Sequence, residues 1–427
     1  MSDTAEQART ERPVVVIIGA GIVGASLADE LTARGLTDVT VLDKGPFPRF
    51  GGSTTHAPGM VFQVHQVPVM AQMARHTVAV LSELADEQGP LWTRTGSLEL
   101  AESEEWQAVL ERRQRYALEA GLPMEILTPE ECARLQPLVD PSAFRMGIHN
   151  PADGVTHAVR VVAARLGAAQ QRGARVHAEH EVTGLTLENG RVRGVQTGRG
   201  DFPADIVVIC GGLWGEPLAA LAEEYLPVVP FIAPGAHTPP LPTLSGSEAD
   251  ARGPIVRFAD SALTWRERGE AVEFGYSRHA PTPVDPYALL SNADAPIMPS
   301  MREFTPEFVD DGWPRMQRLV PDTRELPYER GQHGLMATTP DYLPMIGPSA
   351  RTDGLWFAES IWVTHSGGAA VALAEWIIEG RSSTFDTTAL DARRFDGRSR
   401  EELHEAALRS IDFFAMQRTD AAASSGK

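Results

Sequence analysis

Five apolar residues, Val14-Val15-Val16-Ile17-Ile18, run directly into Gly19-Ala20-Gly21-Ile22-Val23-Gly24, and no other stretch limits so sharply what this chain can fold into. The apolar run has the length of a strand buried on both faces. Residues 25–34 are helical in character and end at Gly35, and residues 39–42 form a second apolar run that stops at Asp43, followed by Lys44. In that order each residue type has its own work. Gly19 permits a tight turn, Gly21 lets a pyrophosphate reach the backbone beside Ile22 and Val23, and Gly24 lets helix and strand pack closely. The helix start offers unpaired N–H donors and a positive dipole end, while Asp43 stands where a carboxylate accepts from ribose hydroxyls. A glycine-rich turn that binds nothing is the competing interpretation. Strand, glycines, helix, second strand and acid all occur in order, with about twenty residues between the last glycine and the acid, and this favours a dinucleotide. The fingerprint alone does not separate NAD from FAD.

A length of 427 residues suits two folding units or one large α/β unit. The net charge of −19 argues against nucleic acid and anionic membrane surfaces as partners. Cys132 and Cys210 are the only cysteines and lack metal-type spacing, which fits a reducing cytoplasm. Residues 1–12 are polar and unlike a secretory signal, and no uninterrupted apolar stretch is long enough to span a membrane. Residues 1–12 and the small, polar residues 418–427 are expected to be disordered.

Along the chain, residues 67–88 carry apolar positions at helical spacing with Pro68 in the first turn. A short strand at 96–100 precedes a charged helix at 102–120, and Thr128-Pro129-Glu130-Glu131 has N-cap chemistry. Residues 157–171 read as an amphipathic helix, and Asn189-Gly190 as a hairpin turn between strands. Residues 205–209 form another buried strand. The stretch 227–254, dense in proline and glycine, predicts loops around a pocket. Short strands follow at 255–258, 263–266 and 272–276, then a helix at 305–319 with Pro314 as a kink or break. A strand at 355–358 leads to a helix that ends at Gly380. The resulting expectation is an α/β (α+β) chain with a split Rossmann-like nucleotide domain at 13–90, 150–225 and 330–395. A β-rich substrate domain at 91–149 and 226–329 is inserted between its pieces, and 396–417 add a C-terminal helix.

Chemistry concentrates in Gly51-Gly52-Ser53-Thr54-Thr55-His56-Ala57-Pro58-Gly59, where backbone and hydroxyls suit pyrophosphate and ribitol oxygens and His56 has small neighbours. A histidine bonded only to backbone is the plainer interpretation. The stretch from Gly51 to Gln63 resembles the flavin loop of the dimethylglycine oxidase and sarcosine dehydrogenase branch of the D-amino-acid-oxidase-like flavoenzymes. In that branch the loop histidine is bonded covalently to the flavin C8 methyl, and the resemblance carries this role onto His56. Residues 205–214 resemble the strand and glycine turn that return to the flavin, residues 339–347 the T-P-D segment, and residues 361–370 the loop and helix start facing the flavin pyrimidine. The resemblance thus implies FAD held by Gly52, Ser53, Thr54, Thr55, His56, Pro58, Val182, Gly211, Trp214, Thr364, Ser366, Gly367 and Gly368, besides the first glycines, Asp43 and Lys44. His365 and Ser366 could also cap their helix.

There are departures from the family. Dimethylglycine oxidase continues into a folate-binding domain, and the sequence stops first, so none is expected. The oxidase's substrate histidine falls at Ala233, and its tyrosine at Thr264 or Trp265. Candidates for a substrate role are His237, Trp265, Arg266, Tyr276, His279, His333 and Trp362, each with a structural alternative as core, pocket wall or, for Arg266, a solvated charge. No paired acid–base constellation, metal cluster or nucleophile elbow is present. The resemblance implies oxidation of a secondary or tertiary amine, an N-substituted amino acid or a larger amine, by hydride transfer to flavin N5. The resulting imine would hydrolyse to an amine plus an aldehyde or oxo acid, with O₂ or another electron acceptor. Two alternatives are an NAD-dependent dehydrogenase and a flavin-binding subunit of a multi-subunit amine-oxidising complex. The oligomeric state is open.

Overall fold

Two large sheets divide the chain between them, and the cavity lies where their edges and loops converge. The computed structural model describes residues 12–277 and 282–412. The first sheet has six strands: β1 (Val15–Ile18), β2 (Val39–Leu42), β6 (Arg175–His177), β7 (Ile206–Ile209), β14 (Met345–Pro348) and β15 (Leu355–Glu359), in the order β6-β2-β1-β7-β15-β14. All neighbours are parallel except β14 and β15. Strands β1 and β2 are buried throughout: Val15, Ile17, Val39 and Val41 pack on the helices, while Val16, Ile18 and Leu42 pack on a three-stranded antiparallel sheet at Val182–Glu188, Arg191–Thr197 and Gly200–Pro203. Helices α1 (Ile22–Ala33), α4 (Ala158–Gln171) and α5 (Ser366–Glu379) pack on this sheet, and α2 (Pro68–Glu83) packs against α5. The α/β class read from the sequence is the class observed.

The second sheet is mixed and has nine strands. In chain order these are β3 (Ser97–Ala101), β4 (Glu125–Leu127), β5 (Met146–Asn150), β8 (Val229–His237), β9 (Ile255–Phe258), β10 (Leu263–Arg268), β11 (Ala271–Tyr276), β12 (Met301–Arg302) and β13 (Arg330–Thr338). They lie in the order β12-β13-β8-β11-β10-β9-β3-β5-β4, with β9 and β3 parallel and the other pairs antiparallel. Helix α3 (Glu104–Glu119) covers β3 and buries Trp106, Val109 and Leu110 against it.

Several expectations are corrected here. Residues 330–338 were assigned to the nucleotide unit, but β13 pairs along its whole length with β8 in the second sheet. The proline-rich stretch after 227 contains a nine-residue strand rather than loops alone. Ile232 donates to the carbonyl of Thr282, and Val284 to that of Pro230, so positions 230, 232 and 234 aim away from β13. Pro230 and Pro234 therefore remove no donor from the pairing with β13, and a strand tolerates proline in such positions. The helix expected to reach residue 88 stops at Glu83, because the chain turns at Gly89 into a short hairpin. Pro314 does not kink a helix at 305–319. It lies in the first turn of a helix over Trp313–Leu319, where its missing N–H has no partner to lose. The last helix, Arg400–Ser410, opens with a capping box of Ser399 and Glu402 and ends where the Ser410 hydroxyl reaches Thr338 and Thr339. The segments expected to be disordered, apart from residue 12, and His279 lie outside the described residues. No described helix is long and apolar enough to cross a membrane.

Candidate cofactor and substrate site

A cavity of about 570 Å³ runs from the first glycine turn, past the loop bearing His56, to the second sheet. Local sequence builds its first end. Gly19 has φ +108°, and a Cβ there would stand 2.3 Å from the Cys210 carbonyl oxygen at the end of β7. At Gly24 a Cβ would stand 1.9 Å from the Gly19 carbonyl oxygen, so only glycine lets α1 start this close to β1. Gly21 meets nothing tighter than the Thr54 hydroxyl at 3.3 Å and leaves the backbone open to a ligand. Thr54 also accepts from the first helical N–H, that of Ile22, at 3.1 Å. Asp43 accepts from Ala20 and Gly45, both at 2.8 Å, and each oxygen keeps a second lone pair. Burial raises its pKa to about 6, against those two bonds and the charge of Lys44.

The His56 loop is a single tight turn, Ser53–His56, fastened on several sides. Ser53 donates to the Leu335 carbonyl at 2.7 Å, and Thr156 N–H donates to Gly59 at 2.8 Å. The Pro58 carbonyl accepts from Arg266 at 2.8 Å. The imidazole of His56 fits a slot opposite Gly334, where a Cβ would lie 2.4 Å from Cε1. Burial lowers the His56 pKa to about 4, against backbone bonds at residues 56, 335 and 300 and the charge of Glu273. Its Nε2 is buried with no hydrogen-bond partner among the described residues.

Of the residues expected to hold the cofactor, Gly19, Gly21, Ile22, Val23, Asp43, Gly52, Ser53, Thr54, Thr55, His56, Pro58, Gly211, Trp214 and Thr364 line the cavity. Lys44 lies 4.0 Å above the Trp214 ring and does not line it. Val182 packs in the core with Val16, Ile18 and Leu42. Gly367 and Gly368 serve packing instead: a Cβ at Gly368 would come within 2.4 Å of Met73 Cα on α2. Their N–H groups both donate to the Thr77 hydroxyl. Ser366 donates to the Val363 carbonyl, and neither it nor His365 caps the helix with its side chain.

The substrate candidates fare differently because a strand alternates its faces. On β13, Gln332, Gly334 and Met336 line the cavity, whereas His333 points the other way, bonded to Thr305 and ringed by Phe304 and Phe308. On β10, Thr264 lines the cavity and Trp265 is fully buried in the opposite core. Tyr276 belongs to that same core, and His237, at the end of β8, is buried off the cavity. Arg266 is not solvated: it is wholly buried, tied to Pro58 and paired with Asp250. Trp362 alone of the named candidates with a described position stands on the wall, edge-on to Tyr342 at 5.0 Å. Ala233 lines the cavity as well.

Sequence reasoning missed Glu359, His65, Arg113 and Arg257 at this wall, and named His365 only as a possible cap of its helix. Glu359 accepts from Gly211 N–H at 2.5 Å, and its Oε2 is buried without a partner among the described residues. Burial pushes its pKa well above the carboxylate range, so its protonated form offers a donor to a ligand hydroxyl. His65 and His365 stand edge to face at 6.3 Å, and burial lowers their pKa values to about 4 and about 3. Arg113 and Arg257 reach the cavity from α3 and β9. Only Tyr342, with φ 63° inside the quoted T-P-D segment, carried a local signal. Among the described residues no group of three or more His, Cys, Asp or Glu could hold a metal ion.

A glycine cradle, hydroxyls beside it and a buried neutral imidazole at mid-cavity fit a dinucleotide whose flavin reaches the second sheet. Comparison with known proteins agrees. Mouse dimethylglycine dehydrogenase, a mitochondrial protein, is 24% identical over 408 residues, which is 93% of this chain and 46% of that protein. The mouse pyruvate dehydrogenase phosphatase regulatory subunit, also mitochondrial, is 27% identical over 387 residues, 89% of this chain and 43% of that one. The chain therefore spans under half the length of these relatives. The solved structure of L-proline dehydrogenase from P. horikoshii shares the fold, with a TM-score of 0.79 and 24% identity over 90% of this chain and 98% of that one. Residues 15–376 match the family model described as FAD dependent oxidoreductase, and the chain belongs to that family.

Proposed function

We propose that the protein oxidises a secondary or tertiary amine using FAD attached covalently through His56. One observation carries the reading: His56 presents a neutral imidazole, with Nε2 buried and unpartnered among the described residues, on the wall of a cavity joining the glycine turn to the second sheet. When bound, the flavin would take up the hydride from the carbon beside the amine nitrogen and pass its two electrons to O₂ or another acceptor, and water would hydrolyse the imine to an amine plus an aldehyde or oxo acid. The chain's own residues do the rest. The turn at Gly19 to Gly21 receives pyrophosphate, Thr54 fastens the loop to α1, and Gly334 and Leu335 seat His56 and Ser53. With a pKa near 4 the imidazole keeps a lone pair at neutral pH, as a nucleophile requires. The mouse relative named for dimethylglycine supports an amine substrate. Ala233 and Thr264, both small and on the wall, support one bulkier than dimethylglycine; Trp265 takes no part in shaping that space.

The test joins flavin chemistry with turnover. Acid-precipitated protein should stay yellow, His56→Ala should release its flavin on precipitation, and anaerobic addition of N-substituted amines should bleach the flavin. A colourless precipitate from flavin-loaded protein removes the covalent link. Highest kcat/KM for dimethylglycine or sarcosine in the panel overturns the bulkier substrate. A second reading, a flavin-binding subunit of a larger complex, is favoured by the relative named as a regulatory subunit. Co-purification of a stoichiometric partner, with no bleaching by any amine, selects it.

A further inference from the structure

We propose that Arg266 is the positioning residue for the bond between His56 and the flavin: with Asp250 and Arg268 it grips the Pro58 carbonyl, two residues beyond the histidine, and holds the imidazole where attachment can occur. This rests on the covalent-attachment reading above and names the residues that bring the attachment about.

The grip lies off the cavity. Arg266 shares the face of β10 with Thr264, but Pro58 stands between it and the open space: Pro58 lines the cavity, whereas Arg266, Arg268 and Asp250 do not. Arg266 is wholly buried, and each of its three side-chain nitrogens donates. Nε reaches the Glu267 carbonyl at 3.0 Å, Nη1 the Pro58 carbonyl at 2.8 Å, and Nη2 the carboxylate of Asp250. Arg268 reaches the same Pro58 carbonyl at 3.4 Å and the same Asp250 at 3.5 Å, and its Nε donates to Glu273 at 2.6 Å. Two guanidiniums thus face two carboxylates, so the cluster is balanced without a ligand, and its outward bonds go to Pro58. Apolar side chains would brace a buried wall more cheaply than ion pairs do. A planar fork does what they cannot, which is to fix one carbonyl at one point.

The loop passes that grip to the imidazole. Ala57 alone separates His56 from Pro58, the proline ring fixes its own φ, and Gly59 follows at φ +71°, where a Cβ would stand 1.9 Å from the Thr156 carbonyl oxygen. Attachment is the step that feels the result. The C8 methyl gives up one proton and bonds to Nε2, and the imidazole loses its remaining proton. The two electrons left behind reduce the flavin, which takes up both protons, and O₂ then removes the electrons and protons as H₂O₂. Forming the bond needs reacting atoms about 3–3.5 Å apart, and a displacement of about 1 Å costs on the order of a hundredfold in rate. FAD binding is spread instead over the glycine turn, Asp43 and the Gly211 turn, which other residues build. Loss of the grip therefore separates attachment from binding.

Flavin-free protein, expressed under riboflavin limitation, is mixed with FAD in air. Total flavin retained on gel filtration and acid-stable flavin on the precipitated protein are followed with time. Asp250→Asn and Arg266→Met should retain FAD at the wild-type ratio and attach it about ten- to a hundredfold more slowly. Arg266→Lys, which keeps the charge but not the fork, should be intermediate. Trp265→Ala, next along β10 and destabilised through the opposite core, should attach at the wild-type rate. Asp250 is only half-buried, so Asp250→Asn decides the matter if Arg266→Met does not fold. Wild-type attachment in folded Asp250→Asn, loss of total and acid-stable flavin in equal proportion, or equal slowing in Trp265→Ala overturns the positioning role and leaves the bond to His56 standing. Wild-type protein that holds FAD with none of it acid-stable overturns the attachment reading, and the positioning role falls with it.

Discussion

The six-stranded sheet presents its cavity end mostly as backbone: the turn at Gly19 to Gly21, fixed by the Ala20 bond to Asp43 and the Ile22 bond to Thr54, and the Gly211 turn that β7 delivers. The nine-stranded sheet presents side chains, and those come from pieces as far apart in the chain as Arg113, Arg257 and Gln332. Backbone at a strand–turn–helix junction is positioned by its own few residues. A side chain on a strand faces the cavity or the core according to pairing register, and a shift of one residue exchanges the two. The first region is therefore intolerant of an added atom at Gly19 and Gly24, and the second is divided sharply between positions that set specificity and positions that set stability.

The largest effect should come from breaking the backbone side. Gly19→Val adds side-chain atoms against the Cys210 carbonyl at a φ that β-branched residues avoid. Overpacking and backbone strain together predict a loss of roughly 2–5 kcal/mol and protein purified without flavin; flavin-to-protein ratio and Tm check both. The next effect splits the two faces of β10. Trp265→Ala should cost about 3–5 kcal/mol in denaturant unfolding and leave substrate preference alone. Thr264→Tyr, one residue earlier, should hardly change stability and should shift kcat/KM toward smaller amines. Equal effects on specificity from the two would mean that the alternation has been misjudged.

Acid should weaken the cavity as a whole. Folded pKa values of about 4, 4 and 3 for His56, His65 and His365 lie below the ordinary 6.5, so the unfolded chain binds more protons as pH falls from 6.5. That stability is complete above pH 6.5 and is lost progressively toward pH 4. Asp43 and Asp153, raised to about 6, oppose it, because the folded chain takes their protons first. Three histidines outweigh two aspartates, for a net loss of a few kcal/mol between pH 7 and 5 and a Tm lower by several degrees in the flavin-free protein. The smallest effect concerns oxygen. Lys44 and Lys427 are the only lysines; Lys44 sits over Trp214, and Lys427 lies outside the described residues. Lys44→Met should leave stopped-flow reoxidation of reduced enzyme within about threefold, and abolition with FAD retained would show that Lys44 reaches the flavin.

Legibility followed the same division. The glycine turn, Asp43, the His56 loop and Trp214 could be read directly, because the residues that build each junction are contiguous. Gly367 and Gly368 were misread for the opposite reason: the glycines answer to Met73 and Thr77 on α2, and Thr77 precedes Gly367 by 290 residues. Trp265, His333 and Tyr276 looked like site residues by type, and pairing turned all three toward the core.

By itself, then, the sequence determined the α/β class, the dinucleotide turn and a loop whose histidine has small neighbours, since each depends on interactions within a few tens of residues. Tertiary structure alone decided that Thr264 rather than Trp265 faces the cavity, that Glu359 has one oxygen without a partner among the described residues, and that Glu99 lies between Arg113 and Arg257. Those outcomes rest on strand register and on burial, which exist only once distant segments have paired.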